Sequence, residues 1–154
     1  MKEMRVGSAR LRCIQAVCVL LVLLDSTHPL FAQAVSKDVI AESLSGQPGD
    51  ATKGRVIVLS RQTGLCILCH GWPFPEEPFQ GNLGPDLAVS AARLSAGQLR
   101  ARIVDASQFN PDSIMPGYYR TEHFTRALPQ YAGQSILNAQ EIEDVVAFLV
   151  SLKP

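Results

Sequence analysis

The clearest hydrophobic pattern in the chain follows Asn138 and has the period of an α-helix. Five apolar residues recur there at helical spacing: Ile142, Val145, Val146, Leu149 and Leu152. Asn138 and Glu141 have the spacing of a capping box, in which each side chain accepts from the other residue's backbone N–H. The pattern predicts an amphipathic helix that begins after Asn138 and packs its apolar face on another element.

Two further stretches predict helices. Ser95 and Gln98 repeat the capping-box spacing, and the apolar residues after them predict a helix over residues 96–105. Residues 53–62 contain a helix-compatible apolar run that ends at Thr63-Gly64, although its β-branched residues suit a strand equally well. We expect this first helix to pack on the terminal one, with Gly54 allowing a close approach.

The first 34 residues have the pattern of a secretory signal peptide. Four basic residues precede an apolar run over residues 13–24: Lys2, Arg5, Arg10 and Arg12. Ala32-Gln33-Ala34 offers a small-x-small cleavage site. At 12 residues the run is shorter than the ~20 that a membrane span needs, so an uncleaved anchor is the less favoured alternative. We predict a signal peptide (1–34), a polar N-terminal arm (35–52) and one domain (53–154) of a periplasmic protein.

Cleavage changes the charge and the cysteine count. The full chain has 14 basic and 14 acidic residues, and removing residues 1–34 leaves 10 and 12, a formal charge of −2. No basic field for nucleic acid remains. Cys13 and Cys18 leave with the signal peptide, so the four cysteines do not form a disulfide framework.

The segment Cys66-Ile67-Leu68-Cys69-His70 matches the CxxCH signature of c-type haem attachment. Each thiol forms a thioether with a haem vinyl group, and the adjoining His becomes an iron ligand. The export signal strengthens this interpretation. We predict one covalently bound haem c.

Two other uses of Cys66 and Cys69 fit less well. A redox-active dithiol of the thioredoxin type would continue into a helix, but two prolines follow within residues 71–75. A structural zinc site needs four ligands, and after residue 34 the chain has only two Cys and two His, His70 and His123.

The segment over residues 72–85 contains four prolines and predicts a stiff, extended loop. We expect it to wrap the haem. Trp72, Phe74 and Phe79 suit ordinary loop packing as well as a specific role in shielding the haem or meeting a partner.

The sixth ligand of the iron is a choice between two residues, because haem iron in electron-transfer proteins usually takes a second Met or His. After residue 34 the chain has one Met, Met115, and one spare His, His123. Met115 lies in a turn-rich loop between Ile114 and Pro116, which favours it as the ligand. His123 and a vacant site are the alternatives.

These features resemble a class I cytochrome c: a helix before CxxCH, Gly84-Pro85 after the haem loop, a Met before Pro and a C-terminal helix. The resemblance implies an all-α fold in which a few helices wrap around one covalently bound haem. More closely, the chain resembles the SoxX family, the monohaem subunits of the SoxAX cytochromes of bacterial sulfur oxidation. The matching blocks are residues 43–50, 64–70, 73–77, 79–83, 100–105 and 110–116.

The SoxX resemblance implies roles for individual residues and for a partner. Cys66 and Cys69 would bind the haem, His70 and Met115 would be its axial ligands, and Pro85 would supply a carbonyl that orients the His70 ring. A SoxA-type cytochrome subunit would join thiosulfate oxidatively to a carrier-protein cysteine, and the SoxX-like subunit would pass the electrons to a small cytochrome c. A stand-alone electron shuttle and a haem enzyme or sensor with an open iron site remain alternatives.

Overall fold

The computed structural model describes residues 38–71, 74–122, 129 and 132–154. The predicted signal peptide, Trp72 and His123 lie outside these residues. Four α-helices and two short 3₁₀ turns occur in the described chain, which agrees with the predicted all-α fold. The helices are α1 (Ala51–Leu59), α2 (Leu87–Arg93), α3 (Ala96–Asp105) and α4 (Ala139–Ser151), and the 3₁₀ turns are Cys66–Leu68 and Ala106–Gln108.

Helix α1 begins two residues before the predicted start, because Asp50 is an N-cap. Its carboxylate accepts hydrogen bonds from the backbone N–H groups of Thr52 and Lys53, at 2.8 and 3.2 Å. The helix ends at Leu59, where Ser60 takes an extended conformation. The strand alternative for the β-branched run is therefore wrong.

Helices α3 and α4 begin where their capping boxes predict. In both boxes the side-chain and backbone hydrogen bonds are reciprocal, between Ser95 and Gln98 and between Asn138 and Glu141. Helix α2 was not predicted, and it begins after Asp86, whose carboxylate accepts from the N–H groups of its first turn.

Helices α1 and α4 pack in close contact, as predicted. A side chain at Gly54 would collide with the Asp144 carbonyl and would lie 2.8 Å from Cβ of Phe148. The Phe148 ring stacks on Phe74 with a centroid distance of 5.9 Å. The resulting core contains Ile57, Val58, Ile67, Phe74, Leu87, Leu99, Ile103, Tyr118, Leu137, Ile142, Val145, Val146, Phe148 and Leu149.

The described part of the N-terminal arm docks on α3 and α4. The Ile40 N–H donates to the Gly97 carbonyl at 3.1 Å, and the Asp50 N–H donates to the Asp144 carboxylate at 2.8 Å.

Within the described ranges, no helix is long and apolar enough to cross a membrane.

A buried ion pair joins the arm to both helices. Arg100 of α3 donates two hydrogen bonds of 2.7 Å to the Glu143 carboxylate of α4, and their side chains are only 8% and 4% exposed. Arg100 also donates to the Ile40 carbonyl at 2.6 Å, and Glu143 accepts from the Leu44 N–H at 3.0 Å. Both buried charges are thus paired and hydrogen-bonded by the chain itself.

Candidate haem-binding site

The CxxCH motif forms a 3₁₀ turn that gathers its three functional residues. The Cys66 carbonyl accepts hydrogen bonds from the N–H groups of Cys69 and His70, at 3.1 and 2.9 Å. Leu65, directly before the turn, has a left-handed backbone with a φ of 59°. Such a conformation costs a non-glycine residue about 1–3 kcal/mol and is concentrated at functional sites.

The two cysteines, His70 and Met115 all line one cavity of about 570 Å³. This volume lies within the range of about 300–1,000 Å³ that is typical of small-molecule and cofactor sites. Apolar side chains, among them Leu87 and Leu149, form much of the wall. The cavity and its sulfur and imidazole donors therefore fit a haem attached through two thioethers.

The His70 ring is held in a defined orientation by a backbone carbonyl. Its Nδ1 lies 2.7 Å from the Pro85 carbonyl oxygen. Because a carbonyl only accepts, this contact assigns the proton to Nδ1 and leaves the Nε2 lone pair free for a metal. That this contact orients an axial ligand of a haem iron stays a prediction.

Gly84 gives the His70 ring its space. A Cβ built on Gly84 would lie 2.6 Å from Nδ1 and 2.8 Å from Nε2 of that ring. The Gly84 N–H also donates to the Cys69 carbonyl at 2.8 Å, which ties this segment back to the motif. Sequence reasoning assigned no role to Gly84, although its position directly before Pro85 is a signal for a tight backbone approach.

Met115 meets the motif in space although 45 residues separate it from His70 in the chain. Both residues line the main cavity and also an adjoining void of about 40 Å³. The Met115 N–H donates to Ser113 Oγ at 3.2 Å. The alternative ligand, His123, is outside the described residues.

The electrostatics of Cys66 oppose the redox-dithiol alternative. Burial raises the pKa of the Cys66 thiol to about 11, whereas thiols that act as nucleophiles have lowered pKa values. The thiol donates to the Gly64 carbonyl at 3.3 Å, and the Tyr118 hydroxyl donates to the same oxygen at 2.7 Å. Burial likewise raises the pKa of Tyr118.

The proline-rich loop does not have the predicted relation to the cavity. Residues 74–82 do not line it, and only Leu83, Gly84 and Pro85 of the described loop residues do. Phe74 is 1% exposed and packs in the core, whereas Phe79 is exposed. Arg61 of the segment after α1 holds the loop by donating to the Phe79 carbonyl at 2.6 Å. The loop also contacts α1, where Arg55 forms an ion pair with Glu76 and its guanidinium lies 5.8 Å from the centroid of the Phe74 ring.

The comparisons with known proteins identify the family. The cytochrome c family model matches residues 51–153. The chain belongs to the cytochrome c family, and it is an electron-transfer protein that uses haem c.

A solved structure gives a more specific match. The chain is similar to one in the crystal structure of SoxXA from P. pantotrophus, with a TM-score of 0.70 and 34% sequence identity. The match covers 77% of this chain and 93% of that one. It confirms the predicted resemblance to SoxX-type cytochromes. No curated protein sequence matches the chain significantly.

Proposed function

We propose that the protein carries one haem c, bound covalently through Cys66 and Cys69, with His70 and Met115 as axial ligands to the iron. The observation that carries this proposal is that all four side chains line the same cavity of about 570 Å³. When bound, haem supplies an iron that cycles between ferric and ferrous states and so carries one electron. The Pro85 carbonyl keeps the His70 ring oriented, and the apolar wall excludes water.

The cavity also has an exposed apolar rim that suits contact with a redox partner. Leu68, Leu83 and Ile114 line the cavity, and they are 44%, 72% and 76% exposed. Exposed apolar side chains grouped at one site mark interaction surfaces. Because Phe74 is buried, we assign the partner contact to this rim and not to the loop phenylalanines as a group.

We propose that the partner is a SoxA-type cytochrome subunit and that the two form a heterodimer in the periplasm after cleavage of residues 1–34. The similarity to a chain of SoxXA supports this assignment. The partner would couple thiosulfate oxidatively to a carrier-protein cysteine, and this chain would accept the electrons and pass them to a small cytochrome c. Both cysteines after residue 34 are used by the haem, so the sulfur chemistry belongs to another polypeptide.

Haem attachment and ligation are tested together. Acid–acetone extraction should leave the colour with the protein, whereas release of the haem into the organic phase would disprove thioether attachment. Met115→Ala should leave the haem attached and lower the reduction potential, because a thioether ligand raises the potential. His123→Ala is the matched control, and a spectral change in that variant with none in Met115→Ala would reverse the axial assignment.

The subunit role is tested by reconstitution. The purified chain should be oxidised and reduced reversibly but should not couple thiosulfate to a carrier thiol, and addition of the SoxA-type subunit should start turnover. Coupling by the isolated chain would contradict a purely electron-transferring role. A chain that stays monomeric beside the SoxA-type subunit, with no turnover, would favour the stand-alone shuttle.

A further inference from the structure

The loop that carries Met115 is closed at its base by an ion pair. Helix α3 ends at Asp105, and Arg120 lies 15 residues later, after the Met115 turn. Arg120 Nη1 lies 3.4 Å from Asp105 Oδ2 and donates to Ser107 Oγ at 3.2 Å. The Asp105 side chain is 9% exposed and that of Arg120 is 30% exposed, so the pair is partly shielded from solvent.

Asp105 also organises the first residues of this loop. Its carboxylate accepts hydrogen bonds from the Ser107 N–H at 3.1 Å, the Ser107 hydroxyl at 2.6 Å and the Gln108 side chain at 2.9 Å. One carboxylate thus fixes the turn that leaves α3 and meets the residue at the far end of the loop. Hydrogen bonds to a charged acceptor are stronger than neutral ones.

The returning end of the loop is held against α3 by backbone contacts. The Tyr118 N–H donates to the Ile103 carbonyl at 3.1 Å, and the Tyr119 N–H donates to the Val104 carbonyl at 3.4 Å. A Cβ on Gly117 would lie 2.6 Å from Cδ of Arg120. The absence of a side chain at Gly117 therefore allows Arg120 to fold back towards Asp105.

The tip of the loop has weaker support than its base. Ile114, next to Met115, is mostly exposed, and the turn depends on local hydrogen bonds such as Ser113 N–H to the Asn110 carbonyl at 2.9 Å. Loop closure lowers the entropy of the tip, so the position of Met115 depends on what holds the two ends together.

We propose that Asp105 and Arg120 are positioning residues that hold the Met115 loop closed and keep the thioether at the iron. This inference rests on the proposed axial role of Met115. Loss of the pair raises the fraction of molecules in which Met115 has left the iron site. The apparent affinity for a competing ligand rises in proportion to that open fraction.

The experiment measures imidazole binding to the ferric, haem-loaded protein at neutral pH through loss of the thioether-to-iron charge-transfer band. Arg120→Gln and Asp105→Asn should each bind imidazole about tenfold more tightly than the unmodified protein. The double variant should bind it no more tightly than Asp105→Asn alone, because the two residues act as one pair. Arg120→Lys, which keeps the charge, should restore part of the difference.

Arg61→Gln is the matched control. Arg61 lies 3.8 Å from Glu77 of the proline-rich loop, so this ion pair holds a loop that does not carry Met115. An unchanged imidazole affinity in Arg120→Gln would overturn the inference, and so would an equal gain in Arg61→Gln, which would show general loosening. If Asp105→Asn does not fold, the imidazole affinity of Arg120→Gln still tests the inference, because Arg120 is the more exposed residue of the pair. A charge-transfer band that survives Met115→Ala would overturn the axial assignment and this inference with it, whereas loss of the band in Met115→Ala beside normal imidazole binding in Arg120→Gln would overturn only the role of the pair.

Discussion

The Arg100–Glu143 ion pair and the haem cavity both use side chains of α3 and α4, but they are completed in different ways. The two charges of the ion pair are bonded to each other and to the backbone of the docked arm. The cavity instead leaves a space of about 570 Å³ between side chains of the CxxCH turn, α2, α3, α4 and the Met115 loop. The hydrogen bonds of the ion pair are thus all made within the chain, whereas the cavity has the space and the donor groups for a cofactor.

This difference has a thermodynamic consequence. Without the haem, the apolar side chains that line this cavity lack the packing partners that core side chains normally have. The whole unfolding free energy of a domain is only about 5–15 kcal/mol. The haem is therefore expected to be part of the core, while the ion pair adjusts a stability that the core already provides.

The largest effect should follow from loss of the haem. The double variant Cys66→Ser and Cys69→Ser removes both attachment points, and we expect a colourless chain with no cooperative thermal transition, or with one at a far lower temperature. Circular dichroism during heating measures this. Met115→Ala, which keeps both thioethers, is the control and should unfold cooperatively. A colourless double variant that melts like the haem-loaded protein would show that the helices form a core without the cofactor.

The second effect concerns the region that the chain completes alone. Arg100→Met leaves the buried Glu143 carboxylate without its partner, which should lower the free energy of unfolding by about 3–5 kcal/mol. Chemical denaturation of the haem-loaded protein measures the change. The reduction potential should stay the same, because the ion pair does not line the cavity.

Arg93→Met is the control for Arg100→Met, since Arg93 is exposed at the end of α2 and such changes usually alter stability by less than about 0.5 kcal/mol. A shifted potential in Arg100→Met would mean that the ion pair and the haem cavity are energetically coupled.

Local signals predicted much of this fold. The capping boxes at Ser95 and Asn138 gave correct starts for α3 and α4, because the atoms that define such a start lie within four residues. Helix α2 was missed because its seven residues are too few to show a period, and its signal is the N-cap Asp86 directly after Pro85.

The hydrophobic and polar pattern of the sequence could not predict contacts between residues that lie far apart in the chain. The candidate ligands could be chosen by residue type and spacing, but Arg100 and Glu143 are 43 residues apart and nothing in either sequence neighbourhood identifies the other as its partner. The proline-rich loop was assigned to the haem because its composition predicts stiffness, whereas the burial of Phe74 against Phe148 depends on the tertiary fold.

A third, smaller effect tests how tightly the cavity is fitted around His70. Gly84→Ala places a methyl group against the imidazole ring, and such overpacking typically costs about 1–3 kcal/mol. We expect a lower yield of haem-loaded protein and an altered ligand-field spectrum, since the ring must move away from the Pro85 carbonyl. Gly46→Ala is the control: no atom lies within 4 Å of its added Cβ, so any loss of stability there comes from the left-handed backbone, with a φ of 70°, and the ligand-field spectrum should stay unchanged. A normal spectrum in Gly84→Ala would show that the ring has room to shift.

The smallest expected effect is the pH dependence that the Arg100–Glu143 pair gives to stability. Burial alone would raise the pKa of Glu143, but the hydrogen bonds from Arg100 and from the Leu44 N–H, together with the Arg100 charge, lower it below its ordinary value. A carboxyl group whose pKa is lower in the folded state stabilises the fold above its unfolded pKa, and this contribution is lost as the pH falls through the folded pKa. The relevant range therefore lies below about pH 4.5, the ordinary value for the group.

Glu143→Gln isolates that contribution, because the amide does not titrate. At neutral pH the variant should be less stable, since Arg100 remains buried without a counter-charge. Below about pH 4.5 the difference between the two proteins should shrink, because only the unmodified protein loses its Glu143 contribution there. Asp105, whose pKa is also lowered in the fold, titrates in both proteins and so cancels in the difference. Denaturation of the haem-loaded proteins at several pH values between neutral and acidic measures this. A difference that stays constant with pH would mean that Glu143 has the same pKa in the folded and unfolded chain, and that the ion pair contributes packing and hydrogen-bond geometry without linkage to protons.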